Sequence, residues 1–365
     1  MPPLVIWKAA RDGTVTDEHV DHYARSAGPG LVIVEATTIE PAGRLAATQL
    51  GAWSDDHVPG LSSLAGAIKE AGGRAGIQIH HAGGNTRLEK TYGESPRAPS
   101  LWPGVCDGAV ELSGEEIDAL VAKFAAAVSR ALDAGFEVIE LHGAHGYLIS
   151  QFLSPVTNTR EDRWGGTPEN RRRFMVEVVG AARSAIEQSG RAESTALTIR
   201  LGVAAGGRRS LALDEGLAAA EACVAAGVDF LDVSNAGGMD EDTEAEIRHR
   251  AADAIEPPAA AEDASPTMLL AALVRRRVSV PVVGVGGVKT AKQAAALLDG
   301  GVADLVAVGR GILADPRWAK KSLGEDPEPL SVCVDCKPRC FWFNEPAKCP
   351  ARKLLARRGE QPPVA

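Results

Sequence analysis

The alternation of two kinds of segment constrains the fold of this chain more than any other feature. Short apolar runs rich in β-branched residues alternate with longer Ala/Leu-rich stretches, which often start at a capping residue and stop at a glycine, as helices do. The apolar runs indicate buried parallel strands, and they lie at 30–37, 75–82, 136–143, 196–203, 229–236, 280–287 and 303–310. This order predicts an α/β protein with one parallel sheet flanked by helices.

The position of the glycine-rich turns favours a closed barrel over an open sheet. An open doubly wound sheet usually has its phosphate-binding turn after the first strand. Here the glycine-rich turns follow the last two strands, at Gly284–Val288 and Gly309–Ile312. Barrels of the (β/α)8 type commonly hold a phosphate group at that place. The sequence therefore predicts a (β/α)8 TIM barrel.

The number of strands is one short of the eight that a (β/α)8 barrel needs, because the first clear strand begins only at Gly30. We expect either that the first strand precedes Met1, the start having been assigned too late, or that residues 2–7 (PPLVIW) form a shortened first strand. The first alternative, a strand that precedes Met1, is favoured, because a barrel that lacked this strand would expose the unpaired edges of the neighbouring strands.

The charge pattern excludes several classes of partner. The formal net charge is −9, and the one basic cluster, Arg171–Arg173, is too short to form a nucleic-acid-binding stripe. No apolar run reaches the ~18 residues of a membrane span, and the N-terminus does not resemble a signal peptide. We expect a cytoplasmic protein that binds neither nucleic acid nor membrane.

Two segments differ from the βα pattern. Residues 238–266 are acidic and rich in Pro and Ala, and they are expected to form a long βα loop over the barrel mouth. The C-terminal tail contains four of the six cysteines, spaced C-x2-C-x3-C-x8-C at Cys333, Cys336, Cys340 and Cys349. Four thiolates with a close leading triplet suit either a [4Fe–4S] cluster or a zinc ion.

The strongest chemical signal follows the strand at 136–143. His142, His145 and Tyr147 lie within six residues, at the strand end where barrels have their active sites. Two imidazoles can donate hydrogen bonds to a substrate oxygen, and a phenol can deliver a proton nearby. Spacing alone leaves two alternatives open: structural histidines, or a zinc site completed by His80 and His81.

The segment from His142 to Phe174 resembles the signature of the Old Yellow Enzyme family of FMN-dependent NAD(P)H oxidoreductases. It contains HGAHGYL, QFLSP and then N, R, D, GG and ENR-RF at matching intervals. Other landmarks of the family occur in order, namely VEATTIEPAGR (34–44), IQIHHAG (77–83), LTIRLG and VAVGRGILADP (306–316). The resemblance covers roughly residues 12–320.

This resemblance implies roles for the residues of the site. His142 and His145 would bind the carbonyl oxygen of an α,β-unsaturated substrate, and Tyr147 would protonate its α-carbon. The family positions that contact FMN match Ala36 under the ring, Gln78 at the pyrimidine, Arg200 near N1, and Gly287, Gly309 and Arg310 at the phosphate. Residues 1–330 would then form an FMN-binding TIM barrel, and residues 331–365 a Cys-rich metal-binding tail.

The function implied is reduction of the C=C bond of α,β-unsaturated carbonyl compounds, or of flavin- or quinone-like acceptors, with FMN as cofactor and NAD(P)H as hydride donor. The cysteine spacing of the tail is similar to that of 2,4-dienoyl-CoA reductase and trimethylamine dehydrogenase. An alternative is therefore a flavin/iron–sulfur electron-transfer or demethylase-like enzyme working with a partner subunit. A further alternative is a non-catalytic flavin-binding remnant. The chain could also form a homo-oligomer.

Overall fold

Seven parallel strands form one curled sheet in sequence order. A computed structural model of the protein describes residues 1–26, 28, 30–207, 210–255, 264–337, 340 and 342–357. The strands are β1 (Leu31–Thr38), β2 (Arg74–His80), β5 (Val138–Gly143), β6 (Ala196–Gly202), β7 (Phe230–Ser234), β8 (Val282–Val285) and β9 (Leu305–Ala307). They confirm the seven predicted strands. A short pair, β3 (Arg97–Ala98) and β4 (Val110–Glu111), lies outside this sheet.

Helices follow most of the strands and complete the predicted βα alternation. They are α1 (Asp17–Ser26), α2 (Val58–Glu70), α3 (Gly114–Asp133), α4 (Leu148–Leu153), α5 (Pro168–Gln188), α6 (Leu213–Ala225), α7 (Glu241–Ala252), α8 (Pro266–Arg275), α9 (Ala291–Asp299), α10 (Arg310–Ala314), α11 (Trp318–Ser322) and α12 (Pro350–Arg357). Helix α3 begins with a capping box between Ser113 and Glu116, which satisfies two free backbone N–H groups. None of these described helices is long and apolar enough to cross a bilayer.

The N-terminal segment lies beside the first strand of the sheet. The Ile33 amide donates a hydrogen bond of 3.0 Å to the Met1 carbonyl, and a Cβ atom on Gly309 would lie 3.5 Å from Pro2 Cγ. The segment therefore fills the space between β1 and the end of β9, the place predicted for a shortened first strand. It is not itself a regular strand, since the Ile6 amide donates to the Glu35 side chain at 3.0 Å. Across the described ranges, no strand pairing joins β9 to β1.

An acidic helix of 12 residues lies within the segment 238–266, for which a loop was predicted. Helix α7 begins after Asp240, whose side chain accepts a hydrogen bond of 3.0 Å from the Thr243 amide. Acidic residues in its first turn stabilise the helix dipole. The prediction of a loop was therefore wrong for Glu241–Ala252. The cap at Asp240 and the acidic first turn stabilise a helix here, although the sequence lacks the apolar stripe by which a helix is usually predicted. Residues 256–263 lie outside the described part of the chain.

Helix α5 anchors the loop that follows β5. The Arg171 guanidinium donates to the carbonyl of Leu153 at 3.1 Å and to that of Gly166 at 3.0 Å, and it pairs with Glu215 at 2.5 Å. Phe174, on the same helix, stacks on Phe152 of α4 with ring centroids 4.3 Å apart. These contacts give Arg171 a structural role, and they hold α4 in place next to the candidate site.

Candidate active site

The loop between β5 and α4 holds the three side chains predicted to be catalytic. His142 lies near the carboxyl end of β5, and His145 and Tyr147 follow in the tight loop before α4. His145 has a left-handed backbone conformation with φ of 60°. Its amide donates a hydrogen bond of 3.0 Å to the Asn235 carbonyl beyond β7. Strained conformations of this kind persist only where the surroundings fix them, and they are typical of active sites.

The two imidazoles of the loop form a hydrogen-bonded chain. The Ala144 amide donates to His142 Nδ1 at 3.3 Å, so the proton of a neutral His142 is on Nε2. His142 Nε2 lies 3.4 Å from His145 Nδ1, and His145 Nε2 lies 2.9 Å from Ser234 Oγ. This series of hydrogen bonds fixes the orientation of both rings at the carboxyl end of the sheet. The Tyr147 ring lies 5.0 Å from the His142 ring, centroid to centroid.

A fourth aromatic side chain, His80, completes this cluster, and the sequence predicts a role for it only in the zinc alternative. Its ring lies 5.1 Å from that of His142 and 4.7 Å from that of Tyr147. It is fully buried, and within the described part of the chain neither ring nitrogen has a hydrogen-bond partner. Strand alternation contained the signal, because His80 shares a sheet face with Gln78, two residues earlier.

The neighbouring histidine, His81, has a structural position instead. Its Nε2 lies 2.8 Å from Glu40 Oε1, and its Nδ1 accepts a hydrogen bond of 2.9 Å from the Gly83 amide. Both ring nitrogens are therefore engaged with the protein. Among the residues that the structure describes, no three His, Cys, Asp or Glu side chains are arranged to hold a metal ion. The geometry thus gives no support to the zinc alternative for the histidine cluster.

Burial keeps the imidazoles of the cluster neutral. It lowers the pKa of His142 well below the usual range, and the neighbouring His145 and His80 act in the same direction. Burial, with the charge of Arg200, lowers the pKa of His145 to about 3. The pKa of His80 is also strongly lowered, mainly by burial. Neutral rings near pH 7 can each donate one hydrogen bond without placing a full charge beside a ligand.

A buried polar layer lies next to the histidines on the strands β2, β5, β6 and β7. Gln78 Nε2 donates to Glu140 Oε1 at 2.7 Å, and Arg200 Nε lies 3.7 Å from Asp232 Oδ2. Burial raises the pKa of Glu140, and the charge of Asp232 raises it further. Arg200 Nε is buried, and no residue that the structure describes accepts a hydrogen bond from it. Because Arg200 pairs with His142 in the sheet register, this unused donor lies close to the histidine cluster.

An open cleft of about 230 Å³ extends from Arg200 along the ends of β8 and β9. Gly287, Gly309 and Arg310, the predicted phosphate-binding residues, all line it, together with Lys289. Gly287 has φ of 78°, a conformation that other residues rarely adopt. Ala36 lies in β1, buried, with its carbonyl accepting a hydrogen bond of 2.8 Å from Gln49. The structure therefore brings Arg200 and the three phosphate-end residues to one cleft.

The four tail cysteines lie near one another, but they do not form a complete ligand set. All are free thiols, and Cys349 is buried in a small cluster with Cys333 and Trp342. Burial raises the pKa of Cys340, and Cys349, Cys336 and Cys333 raise it further. Since the described residues contain no arranged metal-binding group, the metal centre of the tail remains a prediction.

Comparison with known proteins agrees with this geometry. Residues 1–325 match the NADH:flavin oxidoreductase / NADH oxidase family. An NADPH dehydrogenase of Geobacillus thermodenitrificans is 36% identical over 89% of both chains. An NADH oxidase of Thermoanaerobacter brockii is 34% identical over 98% of this chain, which spans only 54% of that relative's length.

Among solved structures, an Old Yellow Enzyme homologue from Zymomonas mobilis superposes with a TM-score of 0.74 and is 26% identical. The match covers 96% of this chain and 94% of the homologue. The curled seven-stranded sheet therefore resembles most of a TIM barrel of that kind. The likeness confirms the predicted fold class.

Proposed function

Since the chain belongs to the NADH:flavin oxidoreductase / NADH oxidase family and is therefore an oxidoreductase, we propose that it reduces the C=C bond of α,β-unsaturated carbonyl compounds. FMN would be its cofactor and NAD(P)H its hydride donor. The observation that carries the proposal is the cluster of His142, His145 and Tyr147, whose neutral donors and phenol converge at one strand end.

The residues beside this cluster fit FMN. Arg200 Nε is a buried donor without a hydrogen-bond partner among the described residues, which suits an oxygen or nitrogen of the flavin pyrimidine ring. Gln78 uses its Nε2 to bind Glu140, so its Oε1 is the acceptor that it offers to the flavin. Gly287, Gly309 and Arg310 would hold the phosphate with backbone N–H groups and a guanidinium, and Ala36 would pack under the ring.

Bound FMN would supply the hydride chemistry, with NAD(P)H as the source of the hydride that ends on the β-carbon of the substrate. The protein residues position and polarise the substrate. When substrate binds, the Nε2–H groups of His142 and His145 would turn from His145 Nδ1 and Ser234 Oγ to the carbonyl oxygen, which would draw electron density from the double bond. Tyr147 gives its phenolic proton to the α-carbon and regains a proton from solvent. Hydride and proton together saturate the C=C bond, and NAD(P)H is oxidised to NAD(P)⁺.

Turnover of 2-cyclohexenone by the FMN-loaded protein tests this function. Without oxygen, we expect one NAD(P)H to be consumed for each cyclohexanone formed, because the hydride and the proton both end on the alkene. The saturated product, cyclohexanone, is the matched control and should cause no NAD(P)H consumption. Alkene reduction would be contradicted if the FMN-loaded protein oxidised NAD(P)H with oxygen or another electron acceptor but not with 2-cyclohexenone.

Replacing His80 by phenylalanine should stabilise the protein but weaken substrate binding. The change removes two buried nitrogens without partners, so the free energy of unfolding should rise by about 1 kcal/mol. The lost nitrogens lie beside His142 and Tyr147, so KM for the enone should increase by about fivefold. Urea unfolding and steady-state kinetics measure the two effects.

The adjacent His81→Phe variant is the control for this experiment. It breaks two hydrogen bonds, to Glu40 and Gly83, and should lower the free energy of unfolding. Equal destabilisation by the two substitutions would mean that His80 is bonded in solution.

The tail cysteines support a second candidate function, electron transfer with a partner subunit. The other three tail thiols lie close enough to Cys340 to raise its pKa, so the four could hold an iron–sulfur cluster after rearrangement of their side chains. Anaerobically purified protein would then be brown, contain iron and accept electrons from a partner faster than from NAD(P)H. Zinc in a colourless tail would instead indicate a structural centre.

A further inference from the structure

The C-terminal tail forms one wall of the cleft in which the FMN phosphate is placed. Cys333, Asp335 and Phe343 line the cleft opposite Gly287 and Gly309. These tail residues come from the part of the chain after the last strand and helix of the barrel. The tail and the phosphate-binding turns therefore share one surface, although they are distant in sequence.

Asp335 binds both cations of this cleft. Its Oδ1 accepts a hydrogen bond of 3.0 Å from Arg310 Nη1, and its Oδ2 pairs closely with Lys289 Nζ. Lys289 follows the turn that contains Gly287, and Arg310 follows Gly309, so both cations belong to the phosphate-binding turns. The backbone of Asp335 is left-handed, with φ of 48°. Such a conformation is retained where surrounding contacts compensate for its cost.

We propose that the carboxylate of Asp335, which the tail holds in the cleft, competes with the phosphate group of FMN for Lys289 and Arg310. The tail would thereby lower the affinity of the protein for FMN. The inference rests on the proposed FMN site. It assigns to the tail a function that does not depend on a metal ion.

Charge balance explains why the carboxylate opposes phosphate binding. A phosphate monoester carries about −1.5 to −2 charges near pH 7. Lys289 and Arg310 provide two positive charges, and Asp335 cancels one of them. Lys337 also lies close enough to act on the carboxylate. Phosphate therefore meets a cleft of reduced positive charge and repulsion from the carboxylate itself.

The tail is anchored away from the cleft, so Asp335 can be displaced without loss of the tail's packing. The Ser331 amide donates to Asp315 Oδ2 at 3.0 Å, and the Ser331 hydroxyl donates to the Ala351 carbonyl at 2.8 Å. Arg352 Nε donates to the Leu313 carbonyl at 2.6 Å. The bonds to Asp315 and Leu313 join the tail to the barrel, the bond from Ser331 to Ala351 joins two parts of the tail, and none of them involves a cation of the cleft.

The test compares the dissociation constants of FMN and riboflavin for the wild type and for Asp335→Asn, measured by quenching of flavin fluorescence. Asparagine keeps the size of the side chain and tolerates the left-handed backbone, so the fold should be retained. We expect Asp335→Asn to bind FMN about five- to tenfold more tightly, the scale of one nearby charge. Riboflavin lacks the phosphate, and its affinity should change by less than about twofold.

Glu345→Gln is the matched control, because it removes one charge from the same tail. Glu345 pairs with Lys348 and does not line the cleft, so this variant should bind FMN as the wild type does. If the wild type prefers FMN to riboflavin but Asp335→Asn binds FMN no more tightly than the wild type, the inference is overturned and the placement of the phosphate is not. A wild type without that preference would overturn both the inference and the placement of the phosphate.

Discussion

Reduction of 2-cyclohexenone by the Tyr147→Phe variant is expected to be about 10²- to 10³-fold slower than by the wild type, the usual contribution of a general acid. Phenylalanine retains the ring packed against His80 and His142, and only the hydroxyl is lost. Transfer of hydride from NAD(P)H to the cofactor does not need this proton, so that half-reaction should keep its rate within about twofold. Stopped-flow absorbance measures the two half-reactions separately.

Tyr92→Phe provides the matched control for the loss of a phenol. Tyr92 is 42% exposed, and its hydroxyl donates to the Ala47 carbonyl at 2.8 Å, outside the histidine cluster. Both half-reactions should be unchanged in this variant. If Tyr147→Phe slowed both half-reactions equally, the hydroxyl would be acting on cofactor binding. If it slowed neither, solvent would be the proton donor.

The sequence predicts the elements of this fold well because their signals are local. The seven strands are continuous apolar runs, and Ser113 and Thr167 mark helix starts that depend on contacts within one turn. His142, His145 and Tyr147 are also close in sequence, so one loop is enough to bring them together. Their proximity in the structure could therefore be predicted without knowing which distant segments of the chain contact each other.

The remaining features depend on contacts between distant segments. Asp335 contacts Lys289 and Arg310, which lie 46 and 25 residues earlier in the sequence. No periodicity predicts where the irregular segment 331–337 will pack. The position of His80 in the cluster could have been predicted from strand alternation, since it lies two residues after Gln78. The course of the N-terminal segment depends on Glu35, a buried carboxylate that takes the Ile6 amide away from strand pairing.

Acidification is expected to destabilise the protein through its buried histidines, and His22 allows one contribution to be isolated. Burial, with the charges of Arg352 and His19, lowers the pKa of His22 to about 3. The unfolded chain binds a proton at the ordinary histidine pKa near 6.5, whereas the folded protein excludes it until about pH 3. The stability contributed by neutral His22 is therefore fully present above pH 6.5, and it is lost progressively as the pH falls.

The size of this effect follows from linkage. Between pH 7 and pH 5, His22 should reduce the free energy of unfolding by about 2 kcal/mol. His80, His142 and His145 act in the same direction, whereas the raised pKa values of Glu140 and Asp232 act in the opposite direction. The wild type alone would report only their sum, which is why a difference between variants is needed.

The difference in the free energy of unfolding between the wild type and His22→Leu isolates His22, because the other titrating groups contribute equally to both proteins. Urea unfolding at pH 7, 6 and 5 should show the wild type losing about 2 kcal/mol more than His22→Leu, because leucine cannot be protonated. Ile312→Val is the control in the same pocket. It should lower stability by a similar amount at every pH, since it removes a methyl group and no titrating site. Parallel pH profiles for the wild type and His22→Leu would mean that His22 is protonated in the folded protein, and that water reaches the space between α1 and α10.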